Sequence, residues 1–132
     1  MSYQTPSPIR VYHVEDQPML REVLKSLIEL EQDVELVGSA GDAEIALHDL
    51  RDLDVDVVLM DIRLPGIDGI EATRFLHESR PDVAVVMLTS YEDEFLGPAL
   101  EAGAIGYVIK SCTRKQLMEA IRDACASAVA IG

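Results

Sequence analysis

Asp61 is the residue whose sequence setting most clearly suggests chemistry. It directly follows the apolar run Val57–Met60, and a Pro65-Gly66 turn comes shortly after it. An apolar run of this length, bounded by turn signals, is typical of a strand buried on both faces of a parallel sheet. Ligands of open α/β sheets bind beyond the carboxyl ends of such strands. A carboxylate at that point is placed to act as a nucleophile or a metal ligand.

Polar side chains end three further apolar segments in the same way. These side chains are Glu15 and Asp16, then Thr89, then Lys110. If the strands form one sheet of order 2-1-3-4-5, strands one and three are neighbours at its switch point. The carboxylates of Glu15, Asp16 and Asp61 then converge on one crevice, with a hydroxyl and an ammonium group close by.

The elements that would position these side chains alternate along the chain. Strands are predicted at Ile9–Val14, Glu35–Ala40, Asp56–Met60, Val83–Leu88 and Ile105–Ile109. Helices are predicted at Pro18–Glu31, Ala43–Leu50, Gly69–Ser79, Tyr91–Ala102 and Arg114–Ala126. Strands that alternate with helices imply parallel pairing through helical crossovers. The pattern therefore predicts a doubly wound α/β sandwich of three layers.

Several helix ends carry their own signals. Gly97-Pro98 falls inside the fourth predicted helix and indicates that its first turns are distorted or separate. Gly103 can end that helix in a left-handed conformation. Three residue pairs have the spacing of a capping box at a helix start: Asp68 with Glu71, Ser90 with Asp93, and Thr113 with Gln116.

The predicted crevice favours phosphoryl transfer. Converging carboxylates repel one another unless a cation neutralises them, and hard oxygen ligands suit Mg²⁺. Lys110 can neutralise phosphate oxygens as a point charge, and Thr89 can donate a hydrogen bond to another oxygen. Positioning and charge neutralisation do most of the work in such reactions. Asp61 could serve as the covalent nucleophile.

Composition narrows the class of protein. The 132 residues fit one domain, and the net charge of −13 argues against binding of nucleic acid by this segment. The sequence has no long apolar run for a membrane span and no pattern of a signal peptide. Its two cysteines, Cys112 and Cys125, make neither a disulfide framework nor a metal motif. A reduced, cytoplasmic setting is the simplest interpretation.

Four motifs together resemble the response-regulator receiver domain of bacterial two-component signalling, over about Ile9 to Ala126. They are Val-Glu15-Asp16-Gln-Pro, Met-Asp61-Ile-Arg-Leu-Pro-Gly-Ile-Asp-Gly, Leu-Thr89-Ser-Tyr and Gly103-Ala-Ile-Gly-Tyr107-Val-Ile-Lys110. The phrases around Thr89 and Tyr107 look most like the LuxR-type branch. The resemblance implies a flavodoxin-like (βα)5 fold with a five-stranded parallel sheet of order 2-1-3-4-5. Residues 9–126 would form the receiver, with a disordered tail at 1–8 and a tail or linker start at 127–132.

The resemblance also implies roles for the site residues. Asp61 would accept a phosphoryl group from a sensor histidine kinase, while Lys110 and Thr89 would hold the phosphate. Mg²⁺ would bind Asp16 and Asp61 directly, Glu15 through water, and the backbone carbonyl of Arg63. Thr89 and Tyr107 would act as the switch pair, reshaping the face made by helix four, strand five and helix five.

Further expectations concern partners and output. Such domains assist their own phosphorylation and dephosphorylation but are not enzymes acting on other substrates. Members of the LuxR-type branch usually control transcription through a C-terminal helix-turn-helix domain, which this chain does not contain. Phosphorylation would promote a homodimer, and no contact with nucleic acid or membrane is expected of this segment itself. Ser111 follows Lys110 where many members have proline, which leaves the isomer of that peptide bond open.

Two other functions remain in view. A stand-alone receiver or pseudo-receiver would act only through binding to another protein. A pseudo-receiver is expected to lack the acidic pair, the acceptor aspartate or the lysine, and this chain has all of them. An Mg²⁺-dependent phosphohydrolase with an aspartyl nucleophile usually has a second aspartate two residues after the first, where this chain has Arg63. Turnover of a small phosphate ester would revive the second alternative.

Overall fold

The computed structural model describes residues 7–131, with side chains to residue 127. The strands are β1 (Ile9–Val14), β2 (Val34–Ala40), β3 (Val57–Met60), β4 (Ala84–Thr89) and β5 (Gly106–Ile109). The helices are α1 (Pro18–Glu29), α2 (Ala43–Asp49), α3 (Gly69–Ser79), α4 (Leu96–Ala102) and α5 (Arg114–Ile131). The predicted alternation is confirmed, and all element ends except the start of α4 and the end of α5 lie within two residues of the predicted ones.

All four strand pairings are parallel, and the sheet order is β2-β1-β3-β4-β5, as predicted. Each face of the sheet is covered by its own hydrophobic cluster. Leu24 of α1 and Ile121 of α5 pack on one face, while Ala46 of α2 and Leu76 of α3 pack on the other. The central strand β3 is completely buried, which explains why its sequence is continuously apolar rather than alternating.

Helix α4 begins later than predicted. The sequence pattern placed its start at Tyr91 with a Ser90–Asp93 cap, whereas the helix begins at Leu96 and its N-cap is Phe95. Pro98 explains the difference, because a proline ring clashes with the carbonyl four residues earlier and tolerates only the first helical turn. The segment between β4 and α4 is therefore a loop, and it borders the candidate site.

The other predicted helix ends are mostly confirmed. The Asp68 carboxylate caps α3 by accepting from the backbone N–H of Glu71 at 2.9 Å. Thr113 and Gln116 form a reciprocal capping box at α5, with bonds of 2.9 and 3.1 Å. Gly103 ends α4 at a φ of 113°, as predicted.

The chain ends differ in how far they can be compared with prediction. Helix α5 continues to Ile131 rather than ending at Ala126, since the alanine-rich segment after it contains no residue that stops a helix. Of the predicted 1–8 tail, residues 1–6 lie outside the described part. Within residues 7–131, no helix is both long enough and apolar enough to cross a membrane.

Candidate functional site

The site lies where β1 and β3 end side by side. The structure brings together the three predicted carboxylates, since Glu15, Asp16 and Asp61 each offer an oxygen within 4.8 Å of the others. Glu15 is 1% exposed and Asp61 is 6% exposed, whereas Asp16 is open to solvent. Two of the three carboxylates are thus held in the protein interior, where an unbalanced charge is costly.

Lys110 supplies positive charge to the two buried carboxylates. Its Nζ lies 2.6 Å from Glu15 Oε1 and 2.9 Å from Asp61 Oδ2, although the three residues come from three different strand ends. Burial raises the pKa of Glu15 against the opposing effect of the Lys110 hydrogen bond. Burial alone would lower the pKa of Lys110, but its bonds to Glu15 and Asp61 raise it above the ordinary value. Lys110 is therefore held in its charged form.

Backbone groups and Arg21 fix the orientation of the carboxylates. Asp61 Oδ1 accepts from the N–H of Ile62 at 2.8 Å, and Glu15 Oε2 accepts from the N–H of Gln17 at 3.2 Å. Arg21 donates to the carbonyl oxygen of Glu15 at 2.6 Å. The sequence analysis did not identify these groups, because backbone donors leave no signal in residue types and Arg21 looks like an ordinary helix-surface residue.

The donor set fits a divalent cation. The cluster sets three carboxyl groups against one ammonium group, and the exposed Asp16 keeps it accessible from solvent. Asp16 and Arg63 also line one open cavity of about 620 Å³ beside the cluster. Carboxylate and carbonyl oxygens with room for water are the environment that Mg²⁺ prefers.

Thr89 and Tyr107 are both connected to the loop between β4 and α4. Thr89 is fully buried, and its Oγ1 accepts from the N–H of Tyr91 at 3.2 Å. Its carbonyl oxygen accepts from the N–H of Lys110 at 2.8 Å, which ties the hydroxyl-bearing strand to the lysine. The Tyr107 hydroxyl donates to the carbonyl of Tyr91 at 2.6 Å. The two predicted switch residues therefore meet at one loop residue.

The loop after Asp61 approaches the start of α3 very closely. The N–H of Gly69 donates to the carbonyl of Ile62 at 2.8 Å, and a Cβ added to Gly69 would lie 1.8 Å from the carbonyl oxygen of Asp61. Only glycine fits there. Sequence reasoning recognised Gly69 as a helix start but not as a close neighbour of the Asp61 backbone. The Lys110–Ser111 peptide bond, left open by the sequence, is trans.

Comparison of the sequence with models of known protein families identifies the family of this chain. The model of the response regulator receiver domain matches residues 11–122. The chain belongs to this family. The match contains all of the predicted site residues, from Glu15 at the first strand end to Lys110 at the last.

Known relatives support the family and its predicted branch. The chain is 41% identical over 115 residues to the response regulator GacA of Pseudomonas viridiflava, covering 86% of the chain and 54% of GacA. It is 36% identical over 117 residues to the transcriptional regulatory protein LiaR of Bacillus subtilis, covering 88% of the chain and 56% of LiaR. The chain thus spans about half the length of these curated relatives.

Solved structures agree with the observed fold. A LuxR-family two-component response regulator from Aurantimonas is 37% identical, with a TM-score of 0.86, and the match covers 92% of the chain and 87% of that structure. The response regulator domain of Thermotoga maritima CheB is 32% identical, with a TM-score of 0.84, over 90% of the chain and 97% of that domain. The predicted receiver fold is confirmed.

Proposed function

We propose that this receiver domain is a phosphorylation-dependent switch whose phosphoacceptor is Asp61. The observation that carries the proposal is the contact of Lys110 Nζ with both Asp61 Oδ2 and Glu15 Oε1. Because the Lys110 ammonium lies beside the nucleophilic oxygen of Asp61, it can also bind the negatively charged oxygens of a phosphoryl group transferred to Asp61. Thr89, at the end of the neighbouring strand, supplies a hydroxyl that can donate to another phosphoryl oxygen.

The reaction is an exchange of one phosphorus bond for another. A carboxylate oxygen of Asp61 attacks the phosphorus of a kinase phosphohistidine that is protonated on its other ring nitrogen. The O–P bond forms as the N–P bond breaks, and neutral imidazole leaves with the electron pair. The signal ends by hydrolysis: water attacks the phosphorus of phosphorylated Asp61, the bond between phosphorus and the Asp61 oxygen breaks, and the Asp61 carboxylate, inorganic phosphate and a proton are released.

The same residues would hold Mg²⁺. Asp16, Asp61 and the carbonyl of Arg63 are the proposed ligands, with Glu15 behind them. Bound Mg²⁺ would neutralise phosphoryl oxygens as charge develops on them. The chain's own contribution is to place the Asp61 oxygen, since the Ile62 N–H and Lys110 hold its carboxylate at both oxygens.

The output is proposed to follow from the loop that joins β4 to α4. If Thr89 turns its hydroxyl to the phosphoryl group, the bond from the Tyr91 N–H is lost and the Tyr107 contact at the same residue is disturbed. The α4–β5–α5 face would then change and control dimerisation or transcription, with a sensor histidine kinase as phosphodonor. The relatives named as transcriptional regulators support this output.

The test is intact mass after incubation with acetyl phosphate. We expect one phosphate adduct that forms only with Mg²⁺, does not form when chelator is present from the start, and is absent in Asp61→Asn. Asp52→Asn is the matched control, because it makes the same chemical change at an exposed loop residue. An adduct that persists in Asp61→Asn would remove Asp61 from the role. No adduct on the folded protein would favour a pseudo-receiver that acts through binding alone.

A further inference from the structure

Phe95, the N-cap of α4, contacts the acceptor loop through the side chain of Arg63. The guanidinium carbon of Arg63 lies 5.7 Å from the centre of the Phe95 ring and 5.4 Å from that of Tyr91. The two rings meet edge to face, with centres 5.2 Å apart and planes at 88°. Cations within about 6 Å of an aromatic face are attracted by it. Arg63 is therefore held by a two-ring platform that belongs to another part of the chain.

The platform is the main observed constraint on the Arg63 side chain. Arg63 is exposed, and within residues 7–127 its guanidinium makes no salt bridge despite the chain's net charge of −13. A free arginine side chain samples many rotamers, so stacking on two rings restricts it substantially. The backbone of Arg63 lies two residues after Asp61.

We propose that Phe95 is a positioning residue for the Mg²⁺ site, acting through Arg63. The inference rests on the proposed function, in which the Arg63 carbonyl is a metal ligand. Asp16, Arg63 and Phe95 line the same open cavity, so the platform and the proposed ligands share one space. By holding the Arg63 side chain, Phe95 fixes the loop that presents the carbonyl before the metal arrives, which lowers the ordering cost of binding.

The contact also works in the opposite direction. If Phe95 favours metal binding, metal binding must favour the stacked position of Phe95 by the same factor. Because Phe95 is the N-cap of α4, an occupied site would bias the helix start directly. This connection uses the rings of Tyr91 and Phe95, whereas the hydrogen bonds to Thr89 and Tyr107 use the backbone of Tyr91.

The test is an NMR titration of the unphosphorylated protein with Mg²⁺. We expect Phe95→Leu to weaken Mg²⁺ about two- to fivefold, the range of an exposed cation–π contact, and Phe95→Tyr to restore it. These variants keep the net charge at the site constant, so a change cannot come from an added or removed charge. Phe75→Leu is the matched control, because Phe75 is 51% exposed on α3 and is not part of the platform.

A second readout follows the reciprocal effect. The chain has two phenylalanines, so incorporation of 4-fluorophenylalanine gives two ¹⁹F signals that the leucine variants assign. We expect Mg²⁺ to shift the Phe95 signal and leave that of Phe75 in place. Normal Mg²⁺ binding with equal affinity in Phe95→Leu would overturn the positioning role alone. Failure of the unchanged protein to bind Mg²⁺ would overturn both this inference and the proposed function.

Discussion

The hydroxyl of Tyr107 donates a hydrogen bond to the backbone carbonyl of Tyr91, 2.6 Å away and 16 residues earlier in the chain. This bond joins edge strand β5 to the loop between β4 and α4. The same Tyr91 donates its N–H to the hydroxyl of Thr89. The loop is thus held from the strand that bears Thr89 and from the strand that bears Tyr107, so a change at either residue reaches the start of α4.

Tyr107→Phe should loosen this loop. A typical hydrogen bond contributes about 0.5–1.5 kcal/mol, so we expect a loss of that size in the free energy of unfolding and faster amide exchange at residues 91–95. Tyr12→Phe is the control, because it removes a hydroxyl bond of equal length, 2.6 Å to Asp49, from β1, which β3 and β4 separate from β5. Equal exchange at residues 91–95 in all three proteins would show that the Tyr107 hydroxyl does not hold the loop.

Lys110→Met should destabilise the domain through the two carboxylates it leaves behind. Glu15 and Asp61 would remain buried without their shared ammonium, and breaking such a partly buried pair should cost about 2 kcal/mol. Urea unfolding at pH 8 with chelator measures the loss. Lys115→Met, at an exposed position of α5, should change stability by less than about 0.5 kcal/mol.

Magnesium gives the Lys110→Met experiment a second arm. If the carboxylates form the proposed metal site, added Mg²⁺ should recover part of the stability lost in Lys110→Met, because a ligand that binds only the folded state stabilises it. A sodium salt at the same concentration should not recover this stability. A similar response to both salts would indicate general screening of charge rather than a specific site.

The parts of the site that lie at strand ends could be predicted from the sequence, because a buried parallel strand leaves a continuous apolar run and its polar end residue stands out. Asp61 and Lys110 are examples. The predicted start of α4 was wrong. Ser90 and Asp93 have the spacing of a capping box, but Pro98 restricts the helix to the residues from Leu96 onward, in line with the distorted first turns that Gly97-Pro98 indicates. The contact of Arg63 with Phe95 could not be predicted, since no periodic pattern relates side chains that meet across two loops.

Tyr12 should give the domain a stability that falls at alkaline pH. Burial and the hydrogen bond to Asp49 raise the pKa of Tyr12 well above its ordinary value of 10.0. Above that pH the unfolded chain loses the proton while the folded chain keeps it, so unfolding is favoured by at most about 1.4 kcal/mol per pH unit. Tyr12→Phe should flatten the dependence of unfolding free energy on pH between 10 and 11. An unchanged slope would mean that other groups cause it.

Gly69→Ala should damage both the fold and the acceptor. The added Cβ would lie 1.8 Å from the carbonyl oxygen of Asp61. The nearest atoms all belong to the backbone of Asp61 and Ile62, so no flexible side chain can move aside. We expect a loss of about 1–3 kcal/mol or more in the free energy of unfolding, together with a fall in phosphate uptake as the Asp61 backbone shifts. Gly97→Ala is the matched control in α4, because nothing lies within 4 Å of its added Cβ. There the alanine should cost less than about 1 kcal/mol, because its helix propensity offsets the steric restriction imposed by the following Pro98. Urea unfolding and intact mass after acetyl phosphate measure the two effects, and a Gly69→Ala protein as stable and as readily phosphorylated as Gly97→Ala would contradict the close approach.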